Sequence, residues 1–316
     1  MKREAWIILL LIAGLAVWPL IAGDYAVSRT NRAMIYALLA LSFSVLAGRL
    51  GWFSLCQTTF AGISGYVIAI LGVRYGWPTG AVIPLAILIS VGFAVVFGLL
   101  TVRARRVSFL MLTLALGQMI YALSFQWVDV TGGYNGIPGI RLPSFLGIDF
   151  GDTRVLYAML ATVTVGIFMA VHRVYRSQYG LLLLGIQENE ERMRALGHPV
   201  HLARFTAFVM AAAIASVAGV FLVFDMGIMS PAPLSLNQAV LVLTAAVLGG
   251  YRTIWGPALG AAVLIMLQTG VAQYTDRHMM VIGAVLVLCI LLMPRGLSEF
   301  PWKSLVHRFR RSSASG

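Results

Sequence analysis

The length of its uncharged stretches constrains this chain more than any other feature. Ten runs contain no Asp, Glu, Lys or Arg: 5–23, 33–48, 50–73, 75–102, 107–128, 155–172, 205–224, 226–251, 253–275 and 278–294. They are apolar throughout and do not alternate. A bilayer-spanning helix needs about 20 apolar residues, whereas a membrane strand needs only about 9–11 of alternating polarity. The bilayer core offers no water to bond exposed peptide groups, so these runs must be helical. Composition agrees, with 60% hydrophobic and 11% charged residues, against about 25% charged in a soluble domain. Cys56 and Cys289 both lie in apolar runs and make no disulfide framework. The expected fold is an all-α membrane protein: a polytopic bundle of about eight to ten transmembrane helices in one domain over 1–316.

Not every run needs to be a straight span. Residues 33–48 would rise roughly 24 Å as a helix, less than a ~30 Å hydrocarbon core. Residues 50–73 begin with the polar stretch from Ser54 to Thr59, which could break a helix or form a re-entrant segment. In 253–275, Gly256-Pro257 suits a first helical turn, so the helix should start there. With all ten runs spanning and the N-terminus inside, about three quarters of the 23 basic residues fall on the cytoplasmic side. Both termini are then cytoplasmic, including a basic tail at 295–316. The net charge of +12 reads as topology and contact with lipid headgroups. Nucleic acid is not an expected partner, since the basic residues are scattered over loops. Cleavage of 1–23 as a signal peptide would leave an odd number of runs and spoil the charge asymmetry.

Two loops stand out. The external one, 129–153, carries Thr131, Gly132, Gly133, Asn135 and Gly136, and its glycines and prolines exclude a long helix. It is either a structured loop or a docking surface and gate. The internal one, 173–204, contains Glu188, Asn189, Glu190, Glu191, Met193, Leu196 and Gly197. Its acids precede its arginines, which suits a helix dipole, and Glu188–Arg192 and Glu190–Arg194 are i,i+4 pairs. Gly197 and Pro199 form a stop signal. The segment 187–197 is therefore expected to be one short amphiphilic helix of roughly 8–12 residues. It is either a solvated linker or a lever that docks on a cytoplasmic subunit. In the lever reading the glutamates meet a basic groove, and Met193 and Leu196 supply the apolar contact.

Several chemistries are absent. Lys2 and Lys303 are the only lysines and neither follows glycine, so no phosphate loop exists. His198 and His201 straddle Pro199 without a nearby Cys or carboxylate, so no metal is expected, and no cofactor. No catalytic motif occurs, so the chain is not an enzyme. Ion-coupled carriers usually need acids inside the membrane or broken-helix ion sites, and the long runs hold no Asp, Glu, Lys or Arg. A stand-alone secondary carrier is thus disfavoured, and a transporter of this composition must draw energy from another subunit. Polar residues inside apolar runs mark either helix packing or a weakly polar pathway: Ser54, Gln57, Thr58, Thr59, Thr113 and Gln118. Gly249, Gly250, Gly256 and Gly260 form small-residue surfaces for close helix approach.

Four stretches resemble the LivM-type permeases of branched-chain amino acid ABC transporters. They are L-A-G-R-L-G-W-F-S-L-C-Q-T-T-F-A-G-I-S-G-Y at 46–66, T-G-G-Y-N-G-I-P-G at 131–139, E-N-E at 188–190 with A-L-G at 195–197, and V-L-G-G-Y-R-T-I-W-G-P-A-L-G-A at 247–261. The resemblance covers roughly 33–297. It implies a permease subunit in the bacterial inner membrane, paired with a second homologous permease, two cytoplasmic ATPase subunits and a periplasmic binding protein. It also implies that 187–197 couples the permease to an ATPase and that substrate moves by alternating access. A urea or short-amide permease of the same broader family is the rival within this class.

Overall fold

The computed structural model describes residues 18, 23–140, 144–145, 148–149, 152–271, 283 and 296–299. Nearly all of the runs at 278–294 and 5–23 and most of the tail at 295–316 lie outside the described residues. Among the described residues, five helices are long and apolar enough to cross a membrane: α1 (Asp24–Arg49), α3 (Thr79–Thr101), α4 (Arg106–Gln126), α6 (Thr153–Tyr175) and α9 (Val200–Met226). Three shorter apolar helices pack among them: α2 (Gln57–Ile68), α10 (Leu236–Gly249) and α11 (Gly256–Val271). A wider π-helical turn, Ala69–Arg74, extends α2. A one-turn helix α5 (Val128–Thr131) follows α4, and two short helices, α7 (Gln178–Glu188) and α8 (Glu190–Ala195), join α6 to α9.

α1 and α9 form the centre and are buried over most of their length, whereas no more than a third of the apolar stretch of α3, α4 or α6 is buried. The exposed faces carry Leu88, Val96, Leu99, Met111 and Met119, which suit contact with lipid tails. α1 is longer than its uncharged run. Arg29 and Arg32 interrupt the run but not the helix, because each side chain has a partner. Arg32 pairs with Asp225 on α9 at 3.2 Å, and Arg29 bonds Thr269 on α11. The expectation that 33–48 is a short span is therefore corrected to a helix of 26 residues, about 39 Å long.

Contacts at the helix ends fix their relative directions. Arg32 near the start of α1 meets Asp225 at the end of α9, so these two run antiparallel. Tyr175 at the end of α6 donates to the Ser44 carbonyl near the end of α1, so α6 runs parallel to α1. The end of α1 and the loop before α11 are also close, because Gly48 faces the Tyr251 carbonyl. We call the end that carries α7 and α8 the lower one, and the end that carries 129–140 the upper one.

Small polar residues tie the interior. Ser216 on α9 donates to Ser90 on α3 at 2.7 Å, Ser90 donates to the Phe60 carbonyl on α2 at 2.8 Å, and Ser64 donates to the Ser216 carbonyl at 2.8 Å. Lipid tails are as apolar as leucine, so such bonds and close packing hold the bundle together. α10 and α11 meet backbone to backbone. A Cβ on Gly249 would fall on the Gly256 carbonyl oxygen, and one on Gly260 on the Ala245 carbonyl oxygen. α11 starts at Gly256, as the Gly-Pro signal predicted.

Replacing Gly260 with leucine should overpack this contact by roughly 1–3 kcal/mol or more. The expected result is a lower melting temperature and less monodisperse protein after detergent extraction. Gly166→Ala on α6, where a Cβ would meet nothing, should leave both at wild-type level.

Candidate functional site

The internal loop folds as two helices with a break at Asn189. Glu188 closes α7, Asn189 has extended backbone (φ −153°, ψ 98°), and Glu190 opens α8. The expectation of one continuous helix over 187–197 is thus corrected. The cause is the Asn189 side chain, which accepts from the Arg192 N–H at 2.9 Å and caps α8. The break removes Glu188 from the helical register of Arg192, so that i,i+4 pair does not form on one helix. Glu190 and Arg194 do pair, at 2.7 Å. At the far end, Gly197 has φ +82°, the Gly197 N–H reaches the Arg194 carbonyl, and the His198 N–H reaches the Met193 carbonyl. These two bonds are a Schellman closure, and a residue with a Cβ is strained in that conformation.

The lever also differs from expectation in what it presents outward. Glu188, Asn189, Glu191 and Leu196 are exposed. Met193 instead packs inward, with its sulfur against Gly185 of α7. Glu190 is part-buried, and its second carboxylate oxygen pairs with Arg204 near the start of α9. Arg204 is only 5% exposed. Its guanidinium lies 4.2 Å from the centre of the Trp52 ring, and Trp52 stands edge-on to Phe109 of α4. A Cβ on Gly51 would lie 3.0 Å from the Gln187 side chain. Arg106 donates to the Gln187 carbonyl at 2.8 Å. The lever therefore grips the segment 50–56.

That segment is the break foreseen in 50–73. Residues 51–56 are non-helical, with Trp52, Ser54 and Cys56 buried and none of the six exposed, and the helix begins only at Gln57. Ser54 lies against the Cys56 sulfur at 3.2 Å, and Thr113 on α4 faces the Leu55 N–H at 3.5 Å. Thr59 sits where α4 narrows at Gly117; a Cβ there would be 3.0 Å from its hydroxyl. Gln57 and Thr58 are nearly fully buried, and their side-chain polar atoms have no hydrogen-bond partner among the described residues. Gln118 is part-exposed on α4 and makes none of these contacts.

The run 226–251 breaks as well, which its lack of charge concealed. α9 ends at Met226, residues 227–235 are non-helical apart from a single 3₁₀ turn, and α10 begins at Leu236. Ser235 caps it by accepting from the Gln238 N–H. Thr58 of α2 and Gln238 of α10 line one small cavity, together with Tyr36 of α1. Tyr36 and Gln238 are hydrogen-bonded at 3.1–3.2 Å. Tyr36 lies midway along α1 and thus midway between the two ends. α2 runs from that depth to the upper end, where Arg74 bonds the Asp129 carbonyl. α10 runs from that depth to the lower end, where Gly249 and Gly250 lie. Two half-helices therefore start side by side at the middle of the bundle and leave in opposite directions.

Sequence reasoning missed Tyr36, Gln238 and Arg204. A signal for Gln238 was present: S-L-C-Q at 54–57 recurs as S-L-N-Q at 235–238, each at the head of a half-helix.

The external loop completes the site. Thr131 donates to the Ser124 carbonyl and accepts from the Gly133 N–H, which folds 131–136 into a tight knot. Gly132, Gly133 and Gly136 all have positive φ, Asn135 ends a 3₁₀ turn, and a Cβ on Gly136 would strike the Met229 carbonyl. β1 (Ile137–Pro138) then pairs antiparallel with Ile228–Met229, and the Ile140 N–H bonds the Gly227 carbonyl. The loop thus holds the lead-in to α10, as the lever holds the lead-in to α2. Beside it an open recess of ≈ 300 Å³ is bounded by Ile68, Thr79, Gly139 and Phe224, among others.

Residues 25–290 match the family described as the permease component of branched-chain amino acid transport systems. The chain belongs to this family. It is 27% identical over 94% of its length to the LivM permease protein of the high-affinity branched-chain amino acid transport system of Salmonella typhimurium, covering 75% of that relative. Similarity to LivM of Escherichia coli K12 is 26% over the same shares. Similarity to LivH of E. coli K12 is 25% over 84% of this chain and 92% of the relative. No solved structure matches. The chain is thus a multi-pass membrane permease.

Asn189→Ala should cost α8 about 1 kcal/mol by removing its cap. Hydrogen exchange of amides 190–195 should then rise about fivefold, while amides in the middle of α9 keep their protection.

Proposed function

We propose that this chain is the permease subunit of an ABC importer for branched-chain or related amino acids. It would form a single permease domain in the bacterial inner membrane, with eight to ten transmembrane helices and both termini cytoplasmic. The lower end is then the cytoplasmic one. The chain works with a second homologous permease, two ATPase subunits and a periplasmic binding protein. The observation that carries the reading is the keying of the lever to a broken helix. α7 and α8 hold 50–56 through Gln187 and through Glu190, Arg204 and Trp52, and 50–56 leads directly into Gln57 and Thr58.

In mechanical terms, an ATPase bound to the outward face of α8 and the end of α7 meets Glu188, Glu191 and Leu196. When the ATPase pair closes, α8 moves, and its motion reaches the start of α2 through Arg204 and Trp52. Arg204 is suited to this because its buried charge is strongly unfavourable away from a partner, so it follows Glu190. Ser54, Gln57, Thr58, Thr59 and Thr113 lie where that motion opens or closes a pathway. At the upper end, 131–140 gates the entrance from the binding protein. The pairing at Gly249, Gly256 and Gly260 keeps α10 and α11 together. Energy flows because each ATPase state has a different affinity for each lever position.

The test is a charge exchange. Glu190→Arg and Arg204→Glu should each uncouple the assembled complex, with uptake and substrate-stimulated ATP hydrolysis both falling about tenfold or more, since each variant sets two like charges against one another where one position is buried. The double exchange should recover a large part of both. Gly197→Leu should uncouple in the same way while membrane insertion stays normal. Full uptake and stimulation in both single charge variants would leave 187–197 a solvated linker.

A further inference from the structure

The meeting point of the two half-helices has the chemistry of a ligand site, and nothing above assigns it one. Three polar side chains from three helices converge there: Tyr36 from α1, Thr58 from α2 and Gln238 from α10. The Thr58 hydroxyl is buried, has no hydrogen-bond partner among the described residues, and belongs to a side chain only 4% exposed. Serine and threonine in apolar helices usually bond a carbonyl one turn back, as Ser44, Thr101 and Thr269 do here. Thr58 does not. The remaining wall is aliphatic, including Leu39, Leu222 and Val242.

We propose that this point is a transit site for an aliphatic α-amino acid, with its charged headgroup held between Thr58, Gln238 and Tyr36 and its side chain against the aliphatic wall. The proposal rests on the permease reading above. The first peptide N–H groups of a helix have no intrahelical acceptor and carry the positive end of its dipole. Thr58 and Gln238 stand in the first turns of α2 and α10, so the positive ends of two helix dipoles lie beside the cavity and favour a carboxylate, although the Gln238 backbone N–H itself is taken by Ser235. Discontinuous helices that point their N-termini at an anionic group midway through the bilayer are a recurring solution in membrane transport. The Gln238 amide has a second N–H beyond the one it gives to Tyr36, and this donates to the carboxylate, while the Tyr36 oxygen accepts from the ammonium. Among the described residues no ionised side chain lines the cavity, so a neutral zwitterion is favoured over a substrate with net charge. The free space fits about one water molecule, so the site is closed in this conformation. It widens when 50–56 or 227–235 is drawn away by the element that grips it.

The experiment uses the full complex in proteoliposomes, with L-leucine as the probe and its binding protein present. Thr58→Val removes only the hydroxyl at constant shape. Gln238→Glu places a carboxylate against the substrate carboxylate. Both variants should co-purify with the partner subunits. The number of leucines moved per ATP hydrolysed should fall at least tenfold in Gln238→Glu and several-fold in Thr58→Val. Tyr36→Phe should show a smaller loss in the same ratio. A wild-type ratio in both Thr58→Val and Gln238→Glu overturns the site while leaving the permease reading intact. If the unmodified complex moves urea or acetamide but no leucine, the amino-acid reading itself fails, and the site falls with it. A Gln238→Glu complex that does not assemble leaves Thr58→Val to decide.

Discussion

Six residues of open backbone, 51–56, lie deep inside a membrane protein, and everything distinctive about this fold follows from making that possible. Non-helical backbone survives at membrane depth only where protein, not lipid, surrounds it. Here the surround is built from α1, α4, α9 and the lever. Trp52 fills the space beside Phe109, Arg204 covers its ring, and Thr113 faces the Leu55 N–H. The same problem recurs at 227–235 and is solved differently, by two-residue strand pairing with 137–138 and a bond from Ile140. Each break is covered by a surface element from elsewhere in the chain. That cover is also a handle, since whatever displaces it exposes a backbone that cannot remain uncovered.

The two handles lie at opposite ends and act on opposite half-helices. The lower one is ionic and cation–π in character, and the upper one is a backbone ladder locked by glycine geometry. A Cβ at Gly136 would collide with the Met229 carbonyl, so the T-G-G-x-N-G-I stretch is needed for close approach. The lower handle needs charge instead, because its partner across the loop is a buried guanidinium. This difference explains why one motif is rich in glycine and the other reads E-N-E.

Much of the helical scaffold was legible because the bilayer imposes a length and a polarity that few other environments do. The start of α11 at Gly256-Pro257 and the break before Gln57 were read directly from local chemistry. Other features were hidden for physical reasons. α1 extends past Arg29 and Arg32 because those charges have partners on α9 and α11, which no local reading supplies. The break at 227–235 carries no charge, so a criterion built on charge passed over Gly227, Pro231 and Pro233. Asn189 looked like part of a helix-compatible string, yet its side chain caps the next helix and splits the segment. Gln57 and Thr58 stood out as polar residues clustered in an apolar run. Tyr36, alone among apolar residues over 33–41, and Gln238, in a shorter polar group with Ser235 and Asn237, did not, and Arg204 read as an ordinary loop charge.

The glycine contact between α10 and α11 has a mechanical meaning. Where side chains separate two helices, rotamer changes absorb small displacements and the helices slide. Here carbonyl oxygens and Cα atoms touch directly at Gly249, Gly256 and Gly260, and nothing between them can deform. The two helices therefore behave as one stiff plate about as wide as two helices. A tug at the head of α10 cannot end in a local rearrangement; it must swing the plate, and α11 with it, against α1.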